Sequence, residues 1–322
     1  MNVSLGPASV LRLIRLLATI GAALVLVVIV SSAYLRLHQA GLSCADWPAC
    51  YGDVAHVAAA TAAQRGARLA HRFAASAVAI VLLALLAVAL VQRPRLRLQA
   101  AIAGAALAVA LVLATIGAIS SESTRTTPLP AVTLANLGGG FTLLALFVAL
   151  RETTLEVDAR AASRTLRGVL LFLLLAAVAQ VALGGLVNAR FAALACPAFP
   201  LCGAEAPAGA LWRTLDPTVP LDVDATGAIV RPPALAALHW AHRVGAHVVL
   251  LVAVVACVML VRTHRSRMAL GLAATVVATL ALGATSVLAG LPLTTVLLHN
   301  LAAALLIAAI VAINVRLRRA GA

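Results

Sequence analysis

The sequence predicts an all-α integral membrane protein of eight transmembrane helices, arranged as two tandem four-helix bundles. Three observations predict it. The 322 residues are 63% hydrophobic and only 11% charged, with a mean hydropathy of +1.08, which is too little charge to cover a soluble surface. Eight apolar stretches reach the roughly 20 residues that a helix needs to cross a bilayer core. One set of short motifs also occurs twice, once in each half of the chain.

The stretches lie at about 11–34, 69–91, 100–119, 130–150, 166–187, 235–261, 268–290 and 292–315. The first is longer than the core of a signal peptide and runs into a motif with a counterpart later in the chain, so it reads as a span. A net charge of +14 would suit a nucleic-acid partner if it were gathered in one patch. Instead, 15 of the 24 basic residues, all arginines, sit in alternate loops and at both ends: Arg12 and Arg15; Arg93, Arg95 and Arg97; Arg151, Arg160, Arg164 and Arg167; Arg262, Arg265 and Arg267; Arg316, Arg318 and Arg319. The positive-inside rule then places both termini in the cytoplasm, in agreement with an even number of spans. The charge reports topology and attraction to anionic membrane lipid, and no nucleic-acid partner is expected.

Four of the five cysteines form two close pairs. Cys44-Ala-Asp-Trp-Pro-Ala-Cys50 and Cys196-Pro-Ala-Phe-Pro-Leu-Cys202 share the pattern Cys, two residues, aromatic, Pro, one residue, Cys. Both follow a span on the outer, oxidising side, so each pair reads as a local disulfide. Neither has further His or Cys at zinc-ligand spacing. Cys257 falls inside a span. His71-Arg72 and His242-Arg243 each open the helix after a cysteine loop, and Pro130 and Pro292 each open the fourth helix of a half. The chain therefore divides into an N-terminal half, 1–150, a cytoplasmic linker, 151–167, and a C-terminal half, 168–322. The stretch 203–233, rich in Pro and Asp, reads as an irregular loop over the outer face of the second half.

Of eight histidines, His71, His239, His242, His247 and His299 fall within spans. An ionisable side chain there is costly and marks either a functional site or a hydrogen bond between helices. At 1.5 Å per residue, His242 and His299 each lie roughly 10 Å below the outer end of their helices, and His71 is similarly shallow. Two histidines on different helices at one depth can hold a metal between them, and haem iron takes axial ligands from opposite faces. Ala75, Ala246 and Ala303 each follow a histidine by four residues, which puts a small residue on the same helix face. Arg72 and Arg243 can pair with haem propionates or snorkel to the outer headgroups. His239 shares a face with His242 and suits the pocket mouth, whereas His247 points elsewhere and reads as a packing residue.

Together these residues resemble the haem A synthase family. The resemblance is carried by the loop from Tyr34 to Gly52, by Gly184–Asn188 with Ala192–Cys202, by Leu238–Ala246 and by Leu291–Ala304, and it covers nearly the whole chain. It implies conversion of haem O to haem A, by oxidising one porphyrin methyl to formyl in successive hydroxylations, for cytochrome oxidases. It implies a haem b in the C-terminal half on His242 and His299, and a haem O site in the N-terminal half with His71 as a metal-binding catalytic residue. Haem O synthase and an electron donor are the implied partners, and a bacterial-type inner (plasma) membrane is the implied location. Two residues depart from the family pattern: Asn136 stands where the second substrate-side His belongs, and Arg68 stands where a Glu belongs. They point to the alternative of a haem-binding paralogue, an electron-transfer b-type cytochrome or a haem carrier. A third class, a two-repeat small-molecule transporter, fits less well, because no Gly- or Pro-broken midspan helix is evident.

Overall fold

A computed structural model describes residues 6–39, 61–92, 96–122, 129–156, 161–196, 198, 202, 210–222, 224–225, 229–230 and 232–319. In chain order its helices are α1 (Pro7–Gln39), α2 (Ala62–Val91), α3 (Arg97–Glu122), α4 (Pro130–Glu152), α5 (Arg164–Ala189), α6 (Ala210–Leu215), α7 (Ala234–Arg262), α8 (Ser266–Leu288) and α9 (Leu293–Arg319). All but α6 are long and apolar enough to cross a membrane. These eight coincide with the stretches expected from hydropathy, with ends that differ by up to seven residues. Short α6 is a departure: the stretch expected to be irregular contains this helix, which packs on α7 and α5.

Local sequence explains the ends. Thr61 accepts from the Gln64 backbone N–H at 3.2 Å while the Gln64 side chain accepts from the Thr61 N–H at 2.8 Å, a reciprocal cap that starts α2. Ser163 caps α5 through the Leu166 N–H, and Pro130 occupies the first turn of α4, where a missing N–H costs nothing. Gly290 (φ 72°) and Leu291 (φ 61°) turn the chain between α8 and α9. Leu291 tolerates this left-handed backbone while buried beside Leu37, Phe191 and Ile229.

In the first half α1 packs on α2 and α4, and α3 packs on both of these. In the second half α5 packs on α7 and α9, and α8 packs on both of these. Each set of four thus closes a ring in which α2 lies diagonally across from α4, and α7 from α9. Large apolar side chains such as Phe73, Val91 and Leu270 face outward, exposed by more than 70%, as a lipid-facing surface requires. Contacts within the rings are close: a side chain at Gly21 on α1 would run into the Phe147 ring of α4, the small-residue packing that spanning helices favour.

The halves meet along α4–α9, α1–α9 and α4–α5. Beyond the ends of the spans, Glu152 is 1% exposed and pairs with Arg151 at 2.5 Å and with Arg316 of α9. Arg319 adds hydrogen bonds to the Glu152 and Leu155 carbonyls at 2.7 and 2.8 Å, and Arg15 of α1 donates to the Thr154 carbonyl at 2.6 Å. The arginines that mark topology in the sequence therefore also tie α1, α4 and α9 together.

Candidate haem site

A cavity of about 400 Å³ opens at the centre of the α5–α7–α8–α9 ring. His242 of α7 and His299 of α9 both line it, and because α7 and α9 are diagonal, the two rings approach from opposite walls. Depth follows from helical rise: His242 lies roughly 12 Å and His299 roughly 9 Å from the starts of their helices. Opposite His242, on α5, is Gly184, where a Cβ would come within 2.9 Å of the imidazole Cε1. Opposite His299, on α8, is Gly283, where a Cβ would come within 3.1 Å of the same ring atom. Each imidazole thus lies against bare backbone of the neighbouring helix, and any larger residue would displace it.

The rings are also held by hydrogen bonds. His299 Nδ1 is 2.9 Å from the Thr279 carbonyl. A carbonyl only accepts, so Nδ1 carries the proton and Nε2 keeps its lone pair. His242 Nδ1 is 2.9 Å from the Gln180 amide nitrogen, which also donates to the His242 carbonyl at 2.8 Å. Gln180 Oε1 is buried without a partner. The His242 carbonyl only accepts, so the amide nitrogen is the donor, and it holds the imidazole through Nδ1 and the backbone of the same residue. Two imidazoles that reach one cavity from opposite walls are a donor set that suits a six-coordinate haem iron.

His239 lines the same cavity, 5% exposed, with its Nδ1 buried and unpartnered, as suits a group at the pocket mouth. His247 also lines the cavity, against the expectation that it points elsewhere, but its Nδ1 donates to the Arg243 carbonyl of its own helix at 2.8 Å. Arg243 also lines the cavity, and its guanidinium donates to the Cys196 and Ala198 carbonyls, each at 2.5 Å, which ties the cysteine loop down over α7. Arg72 is exposed on α2 and does not line this cavity, and His71 on α2 is half-buried, apart from it.

Cys196 and Cys202 are joined, with Cα atoms 4.7 Å apart, and Cys257 is free. Cys44 and Cys50 lie outside the described residues. The outer cover is held by Arg190, just beyond α5, which donates to the Asp216 carbonyl. Burial lowers the Arg190 pKa from its ordinary value, against the opposing pull of Asp216 and Asp222. Asp216 accepts from the Thr218 hydroxyl at 2.7 Å and its N–H at 2.9 Å, which hold its carboxyl below the usual range. Mass mapping of the unreduced protein should yield two intramolecular disulfide peptides, Cys44–Cys50 and Cys196–Cys202, and one alkylatable thiol at Cys257. Alkylation of all five cysteines after denaturation without reductant would refute this pairing.

The family model described as cytochrome oxidase assembly protein, COX15-CtaA, matches residues 15–311. The chain belongs to this family. Among curated proteins, this COX15-CtaA member is 27% identical over 309 residues to the heme A synthase of Shewanella oneidensis, covering 90% of this chain and 92% of that protein. The family match spans both rings, so it takes in the cavity and also the helices that carry His71 and Asn136.

Sequence reading assigned no role in the site to Gln180, Gly184, Gly283, Thr279 or Arg36. Gly184 and Arg36 entered it only as parts of the Gly184–Asn188 and Tyr34–Gly52 segments. Gln180 is polar in an otherwise apolar run, a signal of the same kind as a histidine in a span. Thr279 contributes a backbone carbonyl, which no side-chain pattern can announce.

Proposed function

We propose that the chain is a haem A synthase-type membrane oxidoreductase, which takes haem O and oxidises one porphyrin methyl to formyl in successive hydroxylations. The observation that carries the haem part of this reading is the diagonal pair His242 and His299, each lining the cavity with its ring held through Nδ1. The family match and the likeness to a heme A synthase support the rest. The working location is a bacterial-type inner membrane with both termini cytoplasmic, supported by the arginine distribution. Haem O synthase and an electron donor are the expected partners.

The residues fit a haem b in the second half. Bound there, it supplies one-electron redox chemistry. His242 and His299 would hold the iron; Gln180 and the Thr279 carbonyl hold the two imidazoles; Phe141, Leu250, Leu306 and Ile307 wall the cavity with hydrocarbon and would keep water from the bound group. In the first half, His71 on α2 and Asn136 on α4 occupy the corresponding diagonal, and haem O is the substrate placed there.

A second reading rests on Asn136 and Arg68. Asn is a poor iron ligand, and Arg stays protonated and cannot serve as a base. They favour a family member that keeps haem binding in the second half, as an electron-transfer cytochrome or haem carrier, without the oxidation. Pigment analysis of cells making haem O separates the two readings: haem A formation supports the synthase, and unchanged haem O with a bound low-spin haem b supports the paralogue.

The glycine cradles provide a test of the haem geometry. Gly184→Val and Gly283→Val should each push a ring off its wall and lower the low-spin haem content several-fold, read as Soret absorbance per protein. Gly271→Val, on α8 with nothing within reach of its Cβ, should leave it unchanged. Equal haem content in all three variants would show that the rings do not depend on these contacts.

A further inference from the structure

Arg36 belongs to α1 of the first half, yet it lines the second-half cavity. Its Nε donates to Asn188 Oδ1 of α5 at 3.0 Å. The two residues hold the same place in the repeat: Arg36 is eight residues before Cys44 (44 − 36), and Asn188 is eight before Cys196 (196 − 188). The repeat thus brings its own equivalent positions into contact at the seam, and only the first-half copy is a cation.

Among the described residues no Asp or Glu pairs with Arg36, and Asn188 takes up Nε alone. Among the described residues no bond to its terminal nitrogens is seen, and Arg36 lines the cavity. A cation withdrawn from water with no counter-ion is costly, and its fork geometry suits a carboxylate or phosphate. His239, buried with an unpartnered Nδ1, lines the same cavity. Arg243, the arginine that sequence placed here, donates to loop carbonyls.

Building on the haem reading of this cavity, we infer that Arg36 binds a carboxylate of the ligand held by His242 and His299, so that the first half supplies the anion-binding group of the second-half haem site. Arg36 enters at the outer end of α1, and the histidines lie deeper. A planar ligand ligated at its centre would therefore direct its carboxylate edge outward, toward the seam. Asn188 orients the guanidinium, and the repeat partner of the cation becomes its support.

The test uses the full-length protein produced without haem and titrated with iron protoporphyrin IX and with its dimethyl ester, which lacks free carboxylates. Binding is read from the low-spin Soret band. The wild type should prefer the free acid. Arg36→Gln should weaken free-acid binding about ten- to a hundredfold, the scale of a charge-assisted hydrogen bond, and leave ester binding unchanged. Ester binding also reports that the variant is folded. Arg36→Lys should keep a reduced preference for the free acid, and this variant decides the matter if Arg36→Gln binds neither compound: a Lys variant that binds both equally would overturn the inference. So would Arg36→Gln retaining the full wild-type preference. Loss of co-purified phospholipid from Arg36→Gln with that preference intact would assign the anion to a lipid phosphate, again against the inference. A wild type that takes up neither porphyrin would fail the haem reading itself. A wild type that takes up both equally would fail only the role of Arg36.

Discussion

Replacement of either His242 or His299 by Ala is expected to abolish or shift the low-spin b-type haem spectrum of the purified protein. The expectation follows from the ring geometry. Helices α7 and α9 do not pack on one another, and the two imidazoles reach into the cavity between them from opposite walls. The helix walls that face the two rings are the glycines Gly184 and Gly283, which offer no side chain in place of either imidazole. A single remaining histidine leaves one face of the iron to water, which converts a low-spin centre to a high-spin one. His247→Ala is the control. Its Nδ1 donates to its own helix, and it shares the cavity without facing a glycine cradle, so the spectrum should persist. Optical and electron paramagnetic resonance spectra of the three variants check this, and an unchanged low-spin signal in both ligand variants would remove His242 and His299 from the site.

Much of this was legible in the sequence because bilayer physics simplifies the reading. Each span must satisfy its own backbone hydrogen bonds and show apolar side chains to lipid, so hydropathy located eight helices to within seven residues. His242 and His299 stood out because an imidazole in such a helix needs a reason, and helical rise alone placed them at similar depth. What failed to show depended on register between helices distant in sequence. Arg36 looked like part of an outside loop motif, and nothing in α1 tells which ring its side chain enters. The partners of Arg243, the Cys196 and Ala198 carbonyls, come into reach only once the loop folds back over α7. Short α6 was missed because six residues among Pro and Gly give no helical period to detect. Gly184 and Gly283 are two of 21 glycines, and only the rings packed against them set them apart.

In cells that make haem O, the wild-type chain is expected to yield little or no haem A, and the double substitution Asn136→His with Arg68→Glu is expected to raise that yield. The two rings share one diagonal. In the second ring it carries two histidines; in the first it carries His71 on α2 and Asn136 on α4. An amide is a weak donor to iron, so a haem on this diagonal would have at most one strong ligand from the pair and would be bound more weakly and in part high-spin. Arg68 stands three residues before His71, on the same face of α2 and exposed. There it adds a fixed positive charge where the family pattern has a carboxylate, which favours an anionic propionate and disfavours proton abstraction. Asn136→His restores the second ligand and Arg68→Glu restores the carboxylate. The single substitutions separate the roles: the histidine alone should raise low-spin haem in the first half, and the glutamate alone should leave the spectrum unchanged. Extracted pigments resolved by chromatography measure the yield, with His242→Ala added to the double variant as a control that should lower it again. Robust haem A formation by the wild type would show that Asn136 and Arg68 are compatible with the oxidation, and would leave the synthase reading standing without its rival.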